Sequence, residues 1–192
     1  MGYGDPWGTM VKRRRFLQTT IFIACVPTIK AGSPTSTRPA EIAALTDGQW
    51  QQLAAIQAHL FPREPHAPGA LDINALSYLR SVLADDPGLR RELVPLLVNG
   101  LERLRQLSSA AGYSEFTTLD ETPKETLLRQ LEREPDGHRF LHALLHYILE
   151  ACLTDPIYGG NPDGIGWRWL GFQAGYKRPT EEKRYFLLSG IE

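Results

Sequence analysis

Three histidines recur at four-residue intervals, His138, His142 and His146, and Glu150 continues the series. On an α-helix each such step turns the side chain by about 40°, so the four lie along one slowly rotating stripe. Imidazole and carboxylate at that spacing can chelate zinc. Ligands from one helix ordinarily come as a pair with a third from elsewhere, and this spacing is looser than an H-E-x-x-H signature. The stripe is also offset from Leu141, Leu144, Leu145, Ile148 and Cys152, read as the apolar face of the same helix. Two readings stand. One is a stand-alone metal-binding protein using His138, His142, His146 and Glu150; the other is a polar face, exposed or turned toward a partner.

No other constellation nominates a catalytic or cofactor-binding residue. The sequence has no C-x-x-C-H for haem, no C-x-x-C pair, no G-x-G-x-x-G and no G-x-S-x-G. The glycines of GGNPDG are not followed by Lys-Ser/Thr, so no phosphate loop is expected. His59 and His66 flank a proline-rich loop without a nucleophile nearby, and Asp155, Asn161 and Asp163 match no calcium loop.

The chain has 192 residues, 42% hydrophobic and 22% charged, enough for one domain with a core. A net charge of −1 argues against nucleic acid as a partner. The first thirty residues differ from the rest. Lys12 to Arg15 precede Phe16, Leu17 and the short apolar stretch TTIFIACVPTI, the order of an export signal. Arg13-Arg14-Arg15-Phe16-Leu17 resembles the twin-arginine signal, two arginines, any residue, then Phe-Leu, which engages the Tat translocase and carries folded cargo. The expected location is the periplasm. The signal is placed at 1–31, a Ser/Thr/Pro linker at 32–45 and a helical domain at 46–192. Residues 1–31 hold five of the 21 basic and one of the 22 acidic residues, so their removal leaves 16 against 21, a net of −5. Of the two cysteines, Cys25 leaves with the signal or is acylated. Cys152 is then a single thiol in an oxidising compartment, either buried or paired with another chain.

The elements that must position these groups read as helices. Thr46-Asp47 starts one that Pro62 stops, with Trp50, Leu53, Ile56 and Leu60 at helical spacing. A second is expected from Asp72 to Leu83. Asp86 and Pro87 open a third that Gly112 ends and that Pro95 should break or kink. Thr122-Pro123-Lys124-Glu125 signals a fourth. Pro135-Asp136-Gly137 is expected to separate it from a fifth, at 137–154. No stretch shows the alternation of a half-buried strand. The expectation is an all-α domain of about five helices with an irregular C-terminal segment.

That last segment, Asp155 to Gly175, holds six glycines, two prolines and four aromatic rings in 21 residues, and Tyr176 follows it. Large rings on a chain rich in turn-formers suit an interface, since they offer contact area at low entropic cost. They could equally cover the helical core; we expect some to pack inward and others to meet a partner. The nominated interface residues are Cys152, Asp155, Pro156, Tyr158, Gly159, Gly160, Asn161, Gly166, Trp167, Trp169, Gly171 and Phe172.

The pattern Leu45-Thr46 … Leu53 … Ile56 … Leu60-Phe61-Pro62 … Pro68-Gly69-Ala70, and above all Asp155-Pro156-x-Tyr158-Gly159-Gly160-Asn161 with Gly166-Trp167 and Leu170-Gly171-Phe172, resembles the gluconate 2-dehydrogenase subunit 3 family. The resemblance implies a non-catalytic small subunit that carries the export signal. Its expected partner is a large flavoprotein of the glucose–methanol–choline oxidoreductase type, which holds FAD and oxidises a sugar or polyol. A cytochrome c subunit with haem c is the further partner that such complexes often take, and the resemblance implies inner-membrane association through such a complex. No catalytic residue is carried over from the family.

Overall fold

The structure, a computed structural model, describes residues 45–175 and 179–188, without the side chains of Phe186 and Leu188. The export residues Arg13, Arg14, Phe16 and Leu17, together with Cys25, the linker and Tyr176, lie outside the described residues.

Helix α1 (Asp47–Leu60) starts where local chemistry says it should. Thr46 Oγ1 accepts from the Gln49 amide at 3.3 Å, and Gln49 Oε1 accepts from the Thr46 amide at 2.8 Å, a reciprocal capping box. Helix α2 (Ala75–Asp85) follows a tight loop. It begins three residues later than expected because Asp72 does not enter the helix. Its carboxylate accepts from the Gly69 amide and from Arg63 Nε, both at 2.8 Å, and Asn74 is left-handed at φ 54°.

Asp86 Oδ1 then accepts from the amides of Gly88 and Leu89, and Pro87 takes the first position of α3 (Pro87–Ala110). This helix runs through Pro95 unbroken. The ring removes one backbone donor, but Pro95 lies on the exposed face, where water can serve the Arg91 carbonyl left without it. Gly112, at φ 83°, follows the helix end.

A 3₁₀ turn (Phe116–Thr118) buries Phe116 and leads to α4 (Glu121–Glu132). Asp120, not Thr122, is its N-terminal flank, so Pro123 sits third in the helix, still among the first-turn amides that have no intrahelical acceptor. Helix α5 (Pro135–Leu153) begins at the proline expected to precede it, because Pro135 occupies the first helical position.

Helix α5 is the centre of the molecule. It packs against α1, α2, α3 and α4, and against the short α6 (Ile165–Trp169). Its buried face consists of Phe140, Leu141, Leu144, Tyr147, Ile148, Ala151 and Cys152. Leu145, expected on this face, is exposed instead, while Phe140 and Tyr147 take the inward positions. Two short elements follow in the C-terminal part, a 3₁₀ turn (Glu181–Lys183) and α7 (Tyr185–Leu188). The described residues contain no strand beyond one isolated bridge between Glu64 and Ala67. The fold is all-α, as the periodicity predicts.

Candidate functional site

The glycine- and aromatic-rich segment is built around one buried polar side chain. Asn161 is fully buried and left-handed at φ 49°, a conformation that asparagine tolerates better than most residues. Its amide donates to the Ile73 carbonyl at 2.9 Å, in the loop before α2. Its side-chain nitrogen donates to the Thr154 carbonyl at 2.9 Å, just past the end of α5. Its side-chain oxygen accepts from the Gly166 amide at 2.7 Å, in α6. One residue thus ties three parts of the chain together.

The glycines beside it are there for closeness. A Cβ on Gly160 would sit 2.7 Å from the Ala151 carbonyl oxygen, and one on Gly166 would meet the Cys152 carbonyl and sulfur. Gly166 therefore closes over Cys152, which is free, buried and packed with Ile73, Ile148 and Ile165. Burial pushes its thiol pKa up. A disulfide to another chain would require this lid to open. Of the nominated interface residues, Cys152, Gly160, Asn161 and Gly166 are interior. Asp155, Pro156, Tyr158 and Trp167 are half-buried, and Gly159, Trp169, Gly171 and Phe172 are exposed.

The exposed rings continue a surface that the sequence reading did not single out. Leu145, Leu149 and Leu153 stand one helical turn apart on the outward side of α5, 39%, 48% and 55% exposed. At the Leu153 end, the Trp167 indole N–H donates to the Leu153 carbonyl at 2.8 Å. Phe172, 55% exposed, meets the Trp167 ring edge-on at 5.8 Å. Trp169 turns to the other side of α6, where its ring lies 6.1 Å from that of Phe61. The i, i+4, i+8 spacing of the three leucines was the available signal. It was masked because a second apolar stripe on the same helix forms the core.

His138, His142 and His146 lie exposed beside this leucine row. The rings of His138 and His142 are 6.3 Å apart, and His146 Nε2 is 3.1 Å from Glu150 Oε1. The other oxygen of Glu150 accepts from the Tyr78 hydroxyl at 3.1 Å. Burial, and then the Glu150 charge, hold that phenol well above its ordinary pKa. Among the described residues, no group of three or more His, Cys, Asp or Glu side chains is placed to hold a metal ion.

His59, set aside for want of a nucleophile, has a structural task. Its ring is nearly buried, with Nδ1 2.8 Å from Glu121 Oε2 and Nε2 2.8 Å from Glu125 Oε2. Only a doubly protonated ring can donate to both carboxylates. The contact joins the end of α1 to α4 beside a cleft of about 350 Å³ bounded by Leu60, Leu128, Leu141 and Leu145. His59, and then Arg129, hold the Glu125 carboxyl below its usual pKa range.

A family model described as Gluconate 2-dehydrogenase subunit 3 matches residues 47–175, from the first residue of α1 to the end of the Asn161-centred turn and its ring cluster. No curated protein and no solved structure matches the chain.

Proposed function

Because the chain belongs to the gluconate 2-dehydrogenase subunit 3 family, we propose that it is the non-catalytic small subunit of a periplasmic, FAD-dependent sugar or polyol dehydrogenase. In this reading it carries a large flavoprotein through the Tat translocase and stabilises it in the folded state. The FAD belongs to that partner, and haem c to a cytochrome subunit where one is present.

The observation that carries the reading is the order of parts along the chain. The matched body begins at residue 47, and Arg13-Arg14-x-Phe16-Leu17 lies N-terminal to it. A signal joined to a body that binds another subunit exports both, provided the two associate before translocation. Association also stabilises, because a ligand that binds only the folded form contributes about 2.7 kcal/mol at a hundred times its Kd.

The test is to replace both arginines by lysine and assay the periplasmic and cytoplasmic fractions. The expected result is dehydrogenase activity retained in the cytoplasm. Full periplasmic activity would overturn the carrier role.

A further inference from the structure

The outward face of α5 carries two parallel rows, leucines at 145, 149 and 153 and imidazoles at 138, 142 and 146. Trp167 and Phe172 extend the leucine row beyond the helix end. Leu145, Leu149, Leu153 and Phe172 together present on the order of 400 Å² of apolar surface, comparable to the largest patch of an ordinary monomer. That is about half of the ~800 Å² that each partner contributes to a standard interface, so a polar border must supply the rest.

Along α5 itself the chemistry of that border is one-sided, and the α4 carboxylates across the cleft from His138 and His142, Glu125 and Glu132, are already paired with His59 and Arg129. Between Asp136 and Glu150 the helix has no carboxylate, only His138, Arg139, His142 and His146 among its charged or titratable groups apart from Tyr147. Asp136 is occupied by Arg139 at 3.4 Å, and Glu150 by Tyr78 and His146. With His146 and Arg139 engaged by Glu150 and Asp136, His138 and His142 offer hydrogen-bond donors, and positive charge when protonated, within a chain whose body is net acidic. A second copy of the chain suits this poorly. In a two-fold contact the same patch faces itself, which would set like charges together whenever the imidazoles are protonated.

We propose that this face of α5, continued by Trp167 and Phe172, docks the flavoprotein subunit through a groove that is apolar in its floor and acidic along its rim. The inference rests on the functional reading above and names the surface that serves it. The leucine row fills the groove, and the imidazoles meet carboxylates at its edge. The Asn161-centred turn holds Trp167 and Phe172 in line with the helix.

The experiment co-expresses the full tagged chain with the flavoprotein subunit and reads flavin absorbance per purified chain. Leu149→Arg and Leu153→Arg, at exposed positions, should keep the helical circular dichroism spectrum and bind at least roughly tenfold more weakly. Paired His138→Glu and His142→Glu should also weaken binding, whereas paired lysines should retain it. Tyr113→Arg, beyond the end of α3, should bind as the wild type does. A wild-type flavin yield on Leu149→Arg overturns this inference alone. A wild-type chain that carries no flavoprotein overturns the functional reading as well. Light scattering that shows a wild-type dimer abolished by Leu149→Arg, with flavoprotein retained, overturns the choice of occupant.

Discussion

The side-chain oxygen of Asn161 accepts the amide of Gly166 at 2.7 Å, and this bond holds the C-terminal turn against α5. Because the same side chain donates to the Thr154 carbonyl, its loss strands groups on separate parts of the chain, while the backbone bond to Ile73 survives. Asn161→Ala should destabilise the protein by about 2–4 kcal/mol, the unsatisfied buried groups and the left-handed backbone both contributing. Asn161→Gly relieves the backbone part and should cost about 1 kcal/mol less. Urea unfolding measures both, and an equal cost for the two variants would refute the backbone argument.

The lid over Cys152 makes a separate prediction. Native protein should react with an aromatic disulfide reagent far more slowly than unfolded protein, because the thiol is buried and its pKa raised. Gly166→Ala should speed the reaction and cost about 1–3 kcal/mol, since the new methyl collides with α5. Adding Cys152→Ala should recover less than half of that cost, because the carbonyl of residue 152 stays in the way. Rapid labelling of the wild type would show that the thiol is open to solvent.

The histidine between two glutamates should be felt as a pH dependence. Glu125 titrates lower when folded than when unfolded, so its contribution is full above the ordinary glutamate range and is lost as pH falls through the depressed value. His59→Gln removes the largest cause of that depression. The variant should be less stable by about 0.5–1 kcal/mol near neutral pH, a modest figure because Glu121 and Glu125 remain largely solvated. The gap should close in acid. Thermal melts from the ordinary glutamate range downward test it, and a gap that widens there as pH falls would contradict the assignment.

What was legible from sequence was whatever is decided locally. Thr46, Asp86-Pro87 and Gly112 mark helix ends through bonds to neighbours within a few residues, and each marks the end it signalled. The boundaries that slipped depend on distant partners or on a permissive position. Asp72 is drawn out of α2 by Arg63 and Gly69, and Pro135, expected with Asp136 and Gly137 to separate two helices, opens the second. The C-terminal block is legible as a unit, but Gly160, Asn161 and Gly166 of its signature face inward. A glycine that lets two backbones touch has the same letter as one that opens a loop to a partner. Only the position of Ala151 and Cys152 beneath Gly160 and Gly166 separates the two cases. The outward leucines were hidden for a related reason. Two apolar stripes on one helix cannot be ranked until neighbouring helices have chosen one of them.

Helix α3 offers two substitutions to alanine with opposite expected signs. At Pro95, alanine restores the backbone donor to the Arg91 carbonyl and removes a ring that the helix interior tolerates poorly. The unfolded chain gains freedom with the loss of proline, which offsets part of the benefit. The expected gain is about 1–2 kcal/mol, a rise in Tm of several degrees. At Gly100, helix propensity alone also favours alanine, by roughly 0.5–1 kcal/mol. Here packing decides otherwise, because a Cβ on Gly100 would collide with the ring of Phe140, the fully buried contact between α3 and α5. Phe140 is held on all sides and cannot swing away without opening the core. Gly100→Ala should therefore lower stability by about 1–3 kcal/mol. Calorimetry on the two variants separates the effects: both melting higher would mean that α3 and α5 are not in contact at this crossing.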